Sequence, residues 1–274
     1  MAYVESNRCR IFFEVIEAQA PWVRAPQTVL FLHGIGIDLR MWTKWIPALA
    51  DSYRLVLMDM RGFGRSTVPP AGAVWSMDEL VQDVLAVARA AASGPLHFVG
   101  ESMGATVGLC AYLRSPAAFR TLTVSNGAHM GAPLRNLDDW AEVIGSGGMP
   151  AWSAMMSRHR FYDGGLSARE RAWFDAAQAA CAPHSCLNAV AVLRGVDLSA
   201  RLGEFKLPVL LLHGDASPFI PASISAALLA GLPDGRLQIF ARAKHGLPLS
   251  HGMECARVLR NFLDERSNHK EENA

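Results

Sequence analysis

The sequence predicts an α/β protein: a mostly parallel sheet flanked by helices, with a helical lid inserted after the strand ending near Val124. Three observations carry this. Short apolar runs alternate with helical segments at close spacing, the pattern of a parallel sheet covered on both faces. A serine flanked by glycines sits where one such run turns into a helix. The alternation breaks once, between residues 128 and 201, and then resumes.

Taken in order, Cys9–Val15 and Thr28–His33 read as strands separated by a turn region marked by Pro21 and Pro26. His33-Gly34-Ile35-Gly36 then makes a glycine-rich loop. Met41–Ala50 reads as a helix carrying Trp42 and Trp45. Tyr53–Met58 is an apolar strand ending at Asp59, and 59–66 is rich in turn residues. Asp59 reads as a cap for that loop, and Arg61 as structural. Ser76-Met77-Asp78-Glu79 is a capping box that opens a helix to about Ala92. Leu96–Val99 reads as a buried strand and Ala105–Leu113 as a helix. Thr121–Val124 is the next strand.

The insert is helical in character, with Trp140, Trp152, Trp173, Phe161 and Tyr162, and is interrupted at Gly145–Gly148 and Gly164-Gly165. The sheet resumes at Leu207–His213, followed by a helix at Ala222–Ala230, a last strand at Arg236–Phe240 and a final helix from Met253 to Glu265. The tail from Arg266 to Ala274 reads as polar and frayed. The domains are therefore a core of 1–127 and 202–274 and a lid of 128–201.

With 274 residues, 51% of them hydrophobic, the chain can bury one large core. A net charge of +1 gives no reason to expect nucleic acid or an acidic membrane surface as partner. No apolar run reaches membrane-spanning length, and the N-terminus lacks the pattern of a signal peptide. Five cysteines, an odd number, suit reduced thiols and a cytoplasmic setting. Cys181, His184 and Cys186 match no zinc spacing and read as packed thiols and a surface histidine.

The chemistry centres on Gly100-Glu101-Ser102-Met103-Gly104. A strand turning sharply into a helix leaves no room for a Cβ on either side of the turn, so Gly100 and Gly104 are steric necessities and Ser102 stands at the apex. The following helix aims its N-terminus at the same point, which favours negative charge there. A serine hydroxyl needs a base, and His245, in the loop after the last strand, is the candidate.

The order Ser102, acid, His245 on this alternation resembles the α/β-hydrolase fold, over nearly the whole chain. Within it the likeness is greatest to 3-oxoadipate enol-lactonases, through Asp38-Leu39-Arg40-Met41-Trp42, 59–66, Ser125-Asn126-Gly127-Ala128, Arg160-Phe161 and 191–198. These segments are shared in part by small esterases and cofactor-free haloperoxidases. The resemblance implies a serine hydrolase that cleaves a small carboxylic ester or lactone through an acyl-enzyme at Ser102, with no cofactor and no metal. It also implies an oxyanion hole made by the backbone N–H groups of Ile35 and Met103.

In the resembling families the acid follows a strand-ending glycine by three residues, ahead of a proline. Here that position is Ser217, and the alternative acid position is Asn126. Asp215, two residues early, is taken as the acid; the competing reading makes it structural and leaves Ser217 or Asn126 as a weaker orienter. Glu101 reads as a solvated or supporting carboxylate. Trp140, Arg160 and Phe161 are assigned to the substrate, Arg160 as the fork for a carboxylate it would carry; a solvated lid arginine is the alternative. A non-hydrolytic reaction on the same fold, such as peroxidation or a lyase step, and a catalytically weakened ligand-binding protein are the rival functions. Nucleic acid and membranes are not expected as partners, and a homo-oligomer stays open.

Overall fold

A computed structural model describes residues 1–135 and 137–271, with side chains described up to Arg266. The central strands are those buried without interruption. β3 (Thr28–Leu32) and β5 (Leu96–Glu101) are buried along their whole length, as strands covered on both faces must be. Around them lie β1 (Ala2–Ser6), β2 (Cys9–Ile16), β4 (Arg54–Met58), β6 (Phe119–Ser125), β7 (Val209–Gly214) and β8 (Gly235–Phe240). The order across the sheet is β1-β2-β4-β3-β5-β6-β7-β8. β2 runs antiparallel to β1 and β4, and every other pairing is parallel.

Side chains alternate between the two faces of each strand, and the core divides accordingly. Leu30, Leu32, Val56, Phe98, Leu122 and Leu211 belong to one apolar cluster. Val29, Phe31, Leu55, Val99, Leu210 and Leu212 belong to the other. Helices α2 (Met77–Ala91) and α3 (Met103–Arg114) cover the first face. Helix α1 (Ile46–Leu49) and helix α9 (Gly252–Glu271) cover the second, where Trp42 and Trp45 are fully buried.

Between β6 and β7 come α4 (Trp140–Arg160), α5 (Ala168–Ala179) and α6 (Pro183–Arg194). They are the helical insert, placed over the carboxyl ends of the strands. α7 (Ala222–Gly231) and α8 (Leu247–Ser250) complete the helices introduced here.

The structure differs from the sequence expectations in four places. β1 pairs with β2 through a turn in which Asn7 and Arg8 both have positive φ, the backbone of a tight hairpin. The helix expected over Met41–Ala50 is instead a 3-10 turn, Leu39–Trp42, and the short α1. Pro47 explains the break, since it has no N–H to continue a helix from Thr43. Gly145–Gly148 kinks rather than ends α4, with Gly148 at φ 67° and Pro150 two residues later. The tail expected to fray continues α9 to Glu271, and positions 272–274 lie outside the described residues.

Candidate active site

Ser102 sits where β5 meets α3, with φ 52° and ψ −119°, a conformation that L-residues rarely adopt. The neighbouring glycines make it reachable. A Cβ on Gly100 would lie 2.5 Å from the Ala105 backbone, and one on Gly104 would lie 2.4 Å from the Leu32 carbonyl oxygen. The turn is anchored by the Ser102 N–H, which donates to Ser125 O at 2.8 Å and so carries the β5–β6 pairing into the bend.

His245 follows β8, 143 positions along the chain, and its Nε2 stands 2.9 Å from Ser102 Oγ. Two contacts fix its loop. The Asn126 side-chain amide donates to the His245 carbonyl at 3.0 Å while its oxygen accepts from the Gly214 N–H at 3.0 Å. The Gly246 N–H donates to the Arg160 carbonyl at 2.8 Å, tying the loop to the end of the insert.

The partner of His245 Nδ1 is Ser217, at 3.0 Å. The Ile220 N–H also donates to the Ser217 hydroxyl, at 3.3 Å. With Ser217 accepting, the ring carries its proton on Nδ1 and leaves Nε2 to take the hydroxyl proton of Ser102. Asp215 is elsewhere. Its carboxylate accepts the N–H groups of Arg242 and Ala243 at 3.0 and 3.1 Å, on the turn after β8. The assignment of Asp215 as the acid is therefore corrected. Phe240 O and Ala243 O hold the Asp215 and Ala216 amides, so the carboxylate is turned to the β8 turn while Ser217 faces the ring.

The glycine-rich loop after β3 is held by His33. Its Nε2 accepts the Met60 N–H at 3.0 Å, so Nδ1 carries the proton and donates to the Gly34 carbonyl at 2.7 Å. Ile35 lines the cavity beside Ser102, and Met103 opens α3, where the N–H groups of the first turn have no intrahelical acceptor. Asp59 steadies the same region by accepting the Leu39 and Arg65 N–H groups, both at 2.8 Å. Arg61 is buried against Asp83 and Glu79.

The cavity over Ser102 is small, about 20 Å³, room for roughly one water molecule. Trp140 and Arg160 line it, together with Leu134, Leu137, Leu193, Phe219 and Ile220. Phe161, assigned to the substrate, is not among its walls. It packs edge-on to Phe174 at 4.9 Å and over Gly246, where a Cβ would lie 2.1 Å from its ring. Arg160 is not a solvated lid residue: it is 3% exposed and donates to the Ile35 carbonyl at 2.9 Å.

Of the two readings that the sequence leaves open for Glu101, burial excludes the solvated one. The side chain is wholly buried, and Oε1 lies 3.7 Å from His245 Nε2. Burial pushes its carboxyl up to about 7, opposed by the Arg160 guanidinium and the Gly34 amide. Burial, Arg160 and His213 together hold His245 well below its ordinary value. The one available signal for Glu101 was its place at the end of a strand too apolar to carry a free charge.

Cys181 Sγ donates to the Ala177 carbonyl at 3.4 Å, and His184 Nε2 donates to that of Pro69 at 2.9 Å. No cluster of three or more His, Cys, Asp or Glu suited to a metal occurs among the described residues, and no described helix is long and apolar enough to cross a membrane.

Comparison with known proteins agrees with this architecture. The family model described as the alpha/beta hydrolase fold matches residues 27–251. A pimeloyl-acyl-carrier-protein methyl ester esterase of Methylococcus capsulatus is 31% identical over 267 residues, covering 88% of this chain and 95% of the relative. A protein of Agrobacterium fabrum named for carbamate hydrolysis is 29% identical over 248 residues, covering 85% of this chain and 89% of its own. The solved enol-lactonase of Burkholderia xenovorans superposes with a TM-score of 0.84 at 19% identity, covering 96% of this chain and 100% of that one; at that identity the likeness is one of fold.

Proposed function

Because this chain belongs to the α/β-hydrolase fold family, we propose that it is a serine hydrolase acting on a small carboxylic ester or lactone through an acyl-enzyme at Ser102. The observation that carries the reading is the 2.9 Å approach of Ser102 Oγ to His245 Nε2 on a strained turn above the sheet edge. His245 takes the hydroxyl proton as Oγ attacks the carbonyl carbon, and returns it to the leaving oxygen as the acyl-enzyme forms. Water, deprotonated by the same ring, then releases the acid. The N–H groups of Ile35 and Met103 receive the oxyanion.

The methyl ester named for the Methylococcus relative supports an ester as substrate. The apolar walls favour a small acyl group. Arg160 remains the candidate partner for a carboxylate carried by that group, since its Nε has no hydrogen-bond partner. Trp140, buried against Trp152 at 5.0 Å, shapes the acyl side. The narrow cavity is smaller than an ester, so productive binding calls for its walls to open.

The test is a screen of p-nitrophenyl short-chain esters and small lactones, with Ser102→Ala as control. Turnover in the wild type and its loss by at least about 10⁴-fold in the variant is expected. Turnover that survives in Ser102→Ala would remove the covalent mechanism. Tight ligand binding without turnover would instead favour a binding protein, the reading that the uncharged Ser217 and Asn126 lend some weight.

A further inference from the structure

His245 has no carboxylate on its Nδ1 side. The Ser217 hydroxyl orients the ring but carries no charge, whereas proton transfer from Ser102 makes an imidazolium inside a site with almost no water. The opposite side differs. Glu101 Oε1 stands 3.7 Å from Nε2, and the other polar groups facing the carboxyl are the Gly34 amide and the Arg160 guanidinium. A fully buried carboxyl 3.7 Å from the catalytic imidazole is expensive to keep and calls for an explanation.

We propose that Glu101 supplies the negative charge missing from the Nδ1 side: its carboxylate stabilises the imidazolium formed as Ser102 gives up its proton. This rests on the hydrolase reading above, and it makes Glu101 a positioning residue acting through His245.

The surroundings are built for it. Glu101 ends β5, immediately before the nucleophile. A Cβ on Gly34 would lie 2.1 Å from Glu101 Oε2 and 3.0 Å from Ser102 Cβ, so the missing side chain of Gly34 is the space the carboxylate occupies. Arg160 on α4 faces it with a permanent charge but spends its hydrogen bond on Ile35 O. The Gly34 amide faces it from the loop after β3, and His245 from the loop after β8, with His213 at the end of β7 behind His245.

The resting charges suit the role. With its carboxyl near 7, Glu101 is ionised at pH 8, while His245, held well below its ordinary value, is neutral. An ion pair exists only while the proton is on Nε2, so the attraction acts on the transition state and not on the resting enzyme. Glu101 itself neither gains nor loses a proton: the proton leaves Ser102 Oγ for Nε2 as the Oγ–carbon bond forms, and goes to the leaving oxygen as that bond to carbon breaks.

The probe is a fluorophosphonate, whose labelling rate at Ser102 reports activation of the hydroxyl without knowledge of the substrate. Glu101→Gln should slow labelling about 10²-fold at pH 8, and move the acid limb of the rate from near 7 to lower pH, where only His245 titrates. The pair Glu101→Gln with Ser217→Asp should recover most of the loss, because a carboxylate at Nδ1 serves the same imidazolium. A Glu101→Gln rate within threefold of the wild type, or a slowed rate with an unmoved acid limb and no recovery in the pair, overturns the proposal. Should Glu101→Gln not fold, Ser217→Asp alone decides: a gain under about fivefold supports a role already filled by Glu101, and a gain of about 10²-fold or more overturns it. Wild-type protein that is not labelled at Ser102 refutes the hydrolase reading itself; labelling that ignores Glu101→Gln refutes only this inference.

Discussion

Asp215, on the loop before His245's Nδ1 partner, and Glu101, beside its Nε2, could hardly be treated more differently by the fold. Asp215 is exposed, and both its oxygens accept backbone N–H groups of the turn after β8. Glu101 is wholly buried, facing the Gly34 amide, the Arg160 guanidinium and His245. The first is scaffold: it shapes the turn that leads to His245, where Arg242 adopts φ 57°. The second shapes no turn: it sits between the buried Arg160 charge and the imidazole. An exposed carboxylate on a turn explains itself, while a buried one beside the nucleophile and its base points to chemistry.

The largest effect removes what both are compared against. His245→Ala should lower turnover of a reactive ester by about 10⁴-fold or more, since no other base stands within reach of Ser102 Oγ among the described contacts. Steady-state kinetics on the folded variant checks this. Activity within tenfold of the wild type would leave neither carboxylate with an imidazole to serve.

Next comes stability against pH. Glu101 is raised from 4.5 to about 7 in the folded state, so the native protein holds a proton there that the unfolded chain has already lost. Stability from this group is complete below about 4.5 and is lost as pH rises through about 7. Glu101→Gln cannot titrate. The difference in unfolding free energy, variant minus wild type, should therefore grow between pH 5 and pH 8, by at most about 3 kcal/mol. Urea unfolding of both proteins at the two pH values reads it, and the remaining titrating groups largely cancel in the difference. A flat difference would mean that Glu101 is not the strained group.

Ser217→Ala follows, at about tenfold in kcat with KM nearly unchanged. One neutral hydrogen bond to Nδ1 is worth about 1 kcal/mol or a little more.

The fold was legible because its signals are local and steric. Gly100 and Gly104 announce the turn at Ser102 through contacts that no other residue could make, and the mostly apolar runs of β3 and β5 announce burial on two faces. The place of His245 after the last strand was legible for the same reason. The acid loop was not. Whether the side chain at 215 or at 217 meets the ring depends on how Gly214–Pro218 is pinned by Phe240 O and Ala243 O, contacts between segments about 25 residues or more apart that no local pattern encodes. Phe161 was misjudged likewise: adjacent to Arg160 in the chain, it leaves the helix at its C-terminal cap and points to Gly246 instead of the cavity. For Glu101 the sequence left a solvated and a supporting reading open, and only the packing of Gly34 and Arg160 around it excludes the first.

The smallest effect belongs to Asp215→Asn, and it ranks the two sides of the comparison. An amide can still accept one of the two N–H groups through its oxygen, so the turn loses one charge-assisted contact at an exposed position, worth about 1 kcal/mol or less. The urea midpoint should fall slightly. Because the carboxylate does not touch His245, kcat should stay within about threefold of the wild type and the acid limb of the rate should not move. Ser217→Ala, measured beside it, should be slower while as stable. The opposite ranking, with Asp215→Asn the slower of the two, would mean that the loop rearranges in solution to bring Asp215 onto Nδ1, and Glu101 would then no longer be the carboxylate that the imidazolium depends on.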